Sequence, residues 1–75
     1  MKHIIDLRAP EDYKKNHREG AVNLSLFDLL AYVEENVKEG DEIGLYCYHG
    51  NRAGHGVLLL EEAGYTAENL GGYEE

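Results

Sequence analysis

The residues most able to do chemistry in this chain form one short segment around its single cysteine. This segment runs from Cys47 through Tyr48, His49, Gly50, Asn51 and Arg52 to Ala53. Glycine and asparagine tolerate left-handed backbone angles, so we expect the chain to turn tightly here and to point successive backbone N–H groups inward. The N–H dipoles and the Arg52 cation would both favour the thiolate of Cys47, lowering its pKa below the free value of about 8.5. The segment therefore predicts a nucleophilic thiolate that faces an anion-binding loop.

Two other interpretations of the same cysteine have to be weighed. A lone cysteine is often a small buried hydrophobic residue without chemistry. However, an inert cysteine does not need the Gly50-Asn51-Arg52 sequence that follows the strand end here. A zinc site built from Cys47, His49 and His55 is disfavoured, because amides arranged to bind anions do not bind cations and no fourth ligand is evident. We predict a reactive thiolate, no metal and no other cofactor.

Four polar residues near the cysteine, in the segment or beside the first strand, also need an interpretation. His49 is interpreted either as a pocket-rim residue that tunes substrate charge or as a plain solvated side chain. Tyr48 either shapes access to the loop or only packs beside it. Asp6 and Arg8 follow an apolar strand, and we expect them to hold the turn after that strand together rather than to catalyse.

Alternating strands and helices position the cysteine segment. Short apolar runs predict strands at residues 4–7, 21–24, 42–46 and 66–70. Pro10 at a first helical position, a capping box from Ser25 to Asp28, and Gly40 as a left-handed C-cap bound two of the helices. The predicted helices cover residue 10 to about 17, residues 26–37, and about 52 to 63. Strands that alternate with helices indicate an α/β fold with a small parallel sheet, whose ligands lie at the carboxyl ends of the strands.

Length and composition restrict the class of protein. The 75 residues allow one domain, 1–75, and their net charge of -8 argues against nucleic acids and anionic membrane surfaces as partners. The longest apolar run, residues 57–60, is far shorter than the roughly 20 residues that span a bilayer. One cysteine excludes an intrachain disulfide. We expect a cytoplasmic protein, or a periplasmic one if a signal peptide has been removed.

Several segments, taken together, resemble the single-domain rhodanese family. They occur in the family's order and close to its spacing over nearly the whole chain: Asp6-Leu7-Arg8, Pro10-Glu11-Asp12-Tyr13, His17 with residues 20–24, Tyr46-Cys47, Gly50-Asn51-Arg52, residues 62–65 and residues 69–73. The helix after the loop contains Gly54 and Gly56, and we expect each to cost about 1 kcal/mol and to loosen its first turn.

The resemblance implies both a fold and an activity. It implies a sheet of about four strands in the order 4-3-1-2, flanked by helices, with the Cys47 strand in a central position. Cys47 would accept sulfane sulfur from thiosulfate as a persulfide and pass it to cyanide or a thiol, while the backbone amides of residues 48–53 cradle the sulfur. Asp6, Arg8 and His17 match family positions that look structural.

Loop length distinguishes this chemistry from that of relatives of the same fold. Four residues separate Cys47 from Arg52, whereas relatives that act on phosphate or arsenate have five between the same two residue types. A smaller ring fits one sulfur atom and is tight for a tetrahedral phosphate. We therefore predict a thiosulfate sulfurtransferase. The alternatives are a persulfide carrier for a partner protein, a non-catalytic binding or sensor module, and a phosphatase-like relative.

Overall fold

The predicted alternation of strands and helices is confirmed by a computed structural model, which describes residues 1–73. Its elements, in chain order, are β1 (Lys2–Asp6), α1 (Pro10–Lys15), β2 (Val22–Asn23), α2 (Leu26–Asn36), β3 (Glu42–Cys47), α3 (Asn51–Glu62) and β4 (Glu68–Gly72). The last two residues of the predicted domain, 74–75, lie outside the described residues.

The four strands form one parallel sheet in the order β2-β1-β3-β4. This order is the predicted 4-3-1-2 read from the other edge. β1 and β3 pair over five residues, from Lys2 opposite Glu42 to Asp6 opposite Tyr46. The strand that ends at Cys47 is therefore internal, and its carboxyl end lies beside the carboxyl end of β1.

One hydrophobic core lies between the sheet and helices α2 and α3. Its buried members are Ile5, Leu7, Leu29, Val33, Ile43, Leu45, Cys47, Ala53 and Leu60. Alternate residues along β1 and β3 enter this core, as expected for strands whose side chains alternate between two faces. Helix α3 approaches the sheet closely at Gly56, where an added Cβ would lie 2.6 Å from Leu45 Cδ1. The core thus contains the candidate nucleophile at one end.

The first helix is shorter than predicted. It ends at Lys15, because the backbone at Asn16 is extended, with φ -168° and ψ 154°. His17 lies beyond the helix, is exposed, and stacks on Tyr13 with ring centroids 3.8 Å apart. The His17 ring is therefore held by stacking on Tyr13, although His17 is not part of the helix.

Two other predicted boundaries also differ from the structure. β4 covers Glu68–Gly72 instead of residues 66–70, because Gly72 extends the ladder by pairing with Cys47. Gly40 has the predicted left-handed conformation, with φ +91°, but it lies in the turn before β3. Helix α2 ends at Asn36, and its C-cap Val37 has extended backbone angles. Ser25 is the N-cap of α2, since the Asp28 N–H donates to Ser25 Oγ at 3.2 Å. The Asp28 carboxylate accepts from the Ser25 hydroxyl, whereas in a capping box it would accept from the Ser25 backbone N–H.

Asp41 connects the amino ends of β1 and β3, whereas Cys47 lies at the carboxyl end of β3. Its Oδ2 lies 2.9 Å from His3 Nε2 and accepts the Lys38 N–H at 3.0 Å. These hydrogen bonds, the one to His3 first, hold the pKa of Asp41 well below its usual range. Within residues 1–73, none of the helices has the length and apolar character needed to cross a membrane.

Candidate active site

The loop between β3 and α3 brings backbone N–H groups around the sulfur of Cys47. Gly50 forms the N-cap of α3 with φ +92°, a left-handed conformation that glycine adopts without the steric cost that a Cβ imposes. This turn places the Gly50 N–H 3.1 Å from Cys47 Sγ, to which it donates. The expectation for Asn51 was wrong: Asn51 is the first residue of α3, and every residue with positive φ in the described chain is glycine.

The environment of Cys47 lowers its pKa from the ordinary thiol value. Burial is the largest single effect and raises the pKa, because it disfavours the charged thiolate. Together, the backbone N–H groups of Ala53, His49, Gly50 and Arg52 outweigh burial by hydrogen bonding to the sulfur. Arg52 thus acts on the pKa of Cys47 through its backbone amide. Its guanidinium Nη1 donates to the Leu7 carbonyl oxygen at 3.3 Å.

Cys47 combines features of the two interpretations that the sequence left to be weighed. The residue is only 2% exposed and packs within the hydrophobic core, as an inert cysteine does. Its sulfur nevertheless accepts backbone hydrogen bonds that stabilise negative charge. A reaction partner must therefore be small, or must reach the sulfur through the loop.

Tyr48 connects the loop to the segment after β1. Its hydroxyl donates to the Asp12 carboxylate and accepts the Ala9 N–H at 3.1 Å. The guanidinium carbon of Arg52 lies 5.7 Å from the centre of the Tyr48 ring. The sequence left open whether Tyr48 shapes the site or only packs, and it marked Asp12 only as part of the family resemblance. No local pattern joins residues 36 positions apart.

Asn69 supports the loop from the other side and was missed as a site residue. Its Nδ2 donates to the Gly50 carbonyl oxygen at 3.1 Å, and its Oδ1 accepts the Gly71 N–H at 2.8 Å. The available signal was an asparagine shortly before two glycines at the carboxyl end of a strand. Residues 69–73 were part of the rhodanese resemblance, but the resemblance assigned Asn69 no role in the site.

Asp6 and Arg8 form a buried ion pair beside the loop. Arg8 Nη2 donates to Asp6 Oδ2 at 2.8 Å, and the Arg8 backbone N–H donates to Asp6 Oδ1 at 2.7 Å. The hydrogen bond to Asp6 raises the pKa of Arg8, against the opposing effect of burial. The guanidinium also lies 4.2 Å from the centre of the Tyr73 ring. The contacts between Asp6 and Arg8 hold the turn that follows β1. His17 interacts with Tyr13: its Nδ1 lies 2.7 Å from the Tyr13 carbonyl oxygen.

A cavity of about 540 Å³ lies at the carboxyl ends of β1 and β2, beside Arg52. Its lining includes Leu7, Ala9, Leu24, Leu26, Asp28 and Arg52. Phe27, between two of these lining residues, is 95% exposed. His49 is exposed within the loop, next to Gly50. Among the residues that the structure describes, no cluster of three or more histidine, cysteine or carboxylate side chains could hold a metal ion.

The fold and the loop together allow comparison with known proteins. The model of the family described as "Rhodanese-like domain" matches residues 1–75. The chain belongs to the rhodanese family. It is 36% identical over 75 residues to the thiosulfate sulfurtransferase PspE of Escherichia coli strain K12, covering 97% of this chain and 72% of that protein.

Two further relatives are similar to this chain over most of its length. A tRNA sulfurtransferase of Pyrobaculum aerophilum is 36% identical over 67 residues, which are 89% of this chain but 14% of that protein. A solved rhodanese with anions from E. coli superposes with a TM-score of 0.87 at 33% identity, covering 99% of this chain and 89% of the other. The chain is therefore a rhodanese-like member of a sulfurtransferase family whose domain also forms a small part of longer proteins.

Proposed function

We propose that this rhodanese is a thiosulfate sulfurtransferase that works through a persulfide on Cys47. One observation carries the proposal most directly: the sulfur of Cys47 lies within a ring of backbone N–H groups that lowers its pKa. A thiolate is the nucleophilic form of cysteine, and a lowered pKa makes more of it available near neutral pH. The similarity to PspE, a thiosulfate sulfurtransferase, supports thiosulfate as the donor.

The first half of the reaction loads sulfur onto Cys47. The thiolate attacks the outer sulfur of thiosulfate, a new S–S bond forms, and the original S–S bond breaks with its electron pair going to sulfite. Sulfite is stable as an anion, so its departure requires no general acid. Arg52, exposed beside the loop, is the cation proposed to hold the sulfonate group.

The second half returns the enzyme to its starting state. Cyanide, or the thiolate form of an acceptor, attacks the outer sulfur of the persulfide. The persulfide S–S bond breaks, its electron pair stays on Cys47, and thiocyanate or an acceptor persulfide leaves. The same N–H groups stabilise the cysteine sulfur as it regains its charge, so the loop assists both halves of the cycle.

Replacing Cys47 with serine tests the assignment of the nucleophile. We expect the wild-type protein to gain the mass of one sulfur atom on incubation with thiosulfate and to lose it on addition of cyanide. The Cys47→Ser variant should show neither change and no thiocyanate production, because a serine hydroxyl cannot form the persulfide. Intact-protein mass spectrometry measures both steps. Transfer activity retained by the variant would refute the assignment, and hydrolysis of an aryl phosphate by the wild type would indicate the phosphatase-like alternative.

A persulfide carrier for a partner protein is the second candidate, and Phe27 is the observation that favours it. Phe27 is 95% exposed and contributes almost nothing to the core, while its chain neighbours Leu26 and Asp28 line the cavity that Arg52 also lines. Exposed aromatic side chains are enriched among residues that anchor protein partners. The tRNA sulfurtransferase relative contains the domain as a small part of a longer protein.

Replacing Phe27 with alanine separates the two candidates. If Phe27 anchors a partner, Phe27→Ala slows sulfur transfer to a reduced thiol protein, such as thioredoxin, while loading by thiosulfate and transfer to cyanide stay unchanged. Leu58→Ala on α3, where the side chain is 60% exposed, is the matched control. Because both side chains are largely exposed, stability should change by no more than about 0.5 kcal/mol. If Phe27→Ala transfers sulfur to the thiol protein as fast as wild type does, the support for the carrier is removed.

A further inference from the structure

The reactive loop is attached to the segment after β1 at two points. At its first residue, the Tyr48 hydroxyl donates to Asp12 and accepts the Ala9 N–H at 3.1 Å. Directly after the loop, in the first turn of α3, Arg52 Nη1 donates to the Leu7 carbonyl oxygen at 3.3 Å. The guanidinium and the Tyr48 ring also face each other, with the guanidinium carbon 5.7 Å from the ring centre. The two attachments are therefore joined to each other as well as to the same segment.

The loop needs such attachment because its own geometry is unfavourable. Several N–H groups converge on one sulfur atom, and their partial positive charges repel one another until a negative charge lies between them. Gly50, in the middle of the loop, adds conformational freedom to the unattached chain. Contacts outside the ring must hold it closed.

We propose that Tyr48 and Asp12 are positioning residues that hold the ring of N–H groups around Cys47 and orient Arg52 for the sulfur donor. This inference rests on the proposed sulfur-transfer function for its meaning, but its central claim concerns the thiol and can be measured without a donor. Neither residue touches the reacting sulfur. Both act through the loop backbone and through the face of the Tyr48 ring.

The surroundings of Tyr48 keep its hydroxyl able to donate. The hydrogen bond to Asp12 is the main cause that raises the pKa of Tyr48 above its ordinary value. The hydroxyl therefore stays protonated throughout the pH range in which the thiol of Cys47 titrates. The Tyr48 hydroxyl can therefore donate to Asp12 at every pH at which Cys47 begins to form its thiolate.

The test compares the pKa of Cys47 in variants that remove either partner of the contact. We expect Tyr48→Phe and Asp12→Ala each to raise this pKa by about half a unit, because the N–H groups lose their alignment. Asp12→Asn keeps an acceptor oxygen and should fall between Asp12→Ala and wild type. Tyr65→Phe and Glu11→Ala make the same chemical changes away from the loop and should leave the pKa unchanged. The pH dependence of the alkylation rate of Cys47 by iodoacetamide gives the pKa of every variant.

The direction of the shift distinguishes positioning from simple electrostatics. Removing the negative charge of Asp12 would, through space alone, favour the thiolate and lower the pKa of Cys47. Positioning predicts a rise. A fall or no change in Asp12→Ala, or an unchanged pKa in Tyr48→Phe, would overturn the inference.

Kinetics with thiosulfate provide the second readout. We expect KM for thiosulfate to rise about threefold in Tyr48→Phe, because the ring that faces Arg52 loses the hydrogen bonds of its hydroxyl to Asp12 and Ala9 and is held less firmly. Combining Tyr48→Phe with Asp12→Ala should add little to either change, because both remove the same contact. Absence of persulfide loading in the wild type would refute the proposed function while leaving the alkylation result valid, so the two failures can be told apart.

Discussion

At the scale of single residues, the hydrogen bonding of the Cys47 sulfur depends on the backbone angles of one glycine. Gly50 adopts φ +92°, which turns its N–H toward the sulfur and starts α3 at the next residue. The residue types Gly50 and Asn51 predicted a tight turn from the sequence, and Gly50 makes it. The bonds from Asp12 and Asn69 could not be predicted, because they join residues that are distant in the chain and approach only after the sheet has formed.

Gly50→Ala tests this dependence. Alanine at a left-handed position costs about 1–2 kcal/mol, although its Cβ would make only an ordinary contact with Gly71 Cα at 3.5 Å. The backbone strain should therefore make the loop relax to another conformation. We expect lower stability, a higher pKa of Cys47 and slower persulfide formation at neutral pH. Gly20→Ala is the control: Gly20 has φ +81°, with open space around it, and lies outside the loop. It should lower stability similarly in chemical denaturation while leaving the alkylation profile unchanged; a shifted profile in this control would contradict the argument.

The pH profile of the wild-type protein follows from the lowered pKa of Cys47. The thiolate, which exists above the pKa, is the form that reacts. A lowered pKa therefore moves the rise in alkylation rate to lower pH than for free cysteine, whose pKa is about 8.5. Iodoacetamide alkylation followed from acid to alkaline pH measures the midpoint, with free cysteine as reference. A midpoint at or above that of free cysteine would show that burial outweighs the backbone amides.

At the scale of elements, the contact of α3 with the sheet explains one of its two interior glycines. The sequence assigned Gly54 and Gly56 the same cost, since both weaken a helix by the same intrinsic amount. The structure separates them. An added Cβ at Gly56 would meet side chains of Leu45, Leu29 and Leu7 at 2.6, 3.1 and 3.3 Å, whereas at Gly54 the nearest atom is Asn69 Nδ2 at 3.6 Å. Helix propensity could be read from the sequence, but the distance between helix and sheet could not.

Alanine substitutions at these two positions should have opposite effects. Gly56→Ala should destabilise the protein by about 1–3 kcal/mol, because overpacking displaces α3 from the sheet. Gly54→Ala should be neutral or stabilising by up to about 1 kcal/mol, because alanine favours the helix and its Cβ makes an ordinary contact. Urea denaturation measures both. Stabilisation by Gly56→Ala would show that the core adjusts to the added methyl group without cost.

At the scale of the whole molecule, the sheet separates two groups of polar contacts. The Cys47 loop and the Asp6–Arg8 pair lie at the carboxyl ends of the strands, and Asp41 with His3 lies at the amino ends. The alternation of elements predicted parallel strands, but many strand orders satisfy it, so the order came only from the resemblance to rhodaneses. The Asp41 cluster was not predicted, since nothing local marks His3 and Asp41 as partners 38 positions apart.

Asp41 should make stability depend on acid pH. Its pKa is depressed in the folded protein, so its contribution is fully present above the unfolded value of about 3.9 and is lost as pH falls toward the folded value. We expect Asp41→Asn to be less stable than wild type at neutral pH and the difference to shrink below about pH 4. Denaturation midpoints measured from pH 7 to pH 3 test this, with Glu39→Gln in the same turn as control. A difference that stays constant over this range would contradict the role of the Asp41 charge.

The separation of these groups along parallel strands has a practical consequence. Substitutions at distant sites with no shared partners usually combine additively. A protein engineer could therefore strengthen the Asp41 end against acid and, independently, alter residues around the Cys47 loop. The five-residue ladder between β1 and β3 acts as a spacer between the two tasks. A protein of this size has few sites that can be changed independently, and here two of them lie at opposite ends of the same strands.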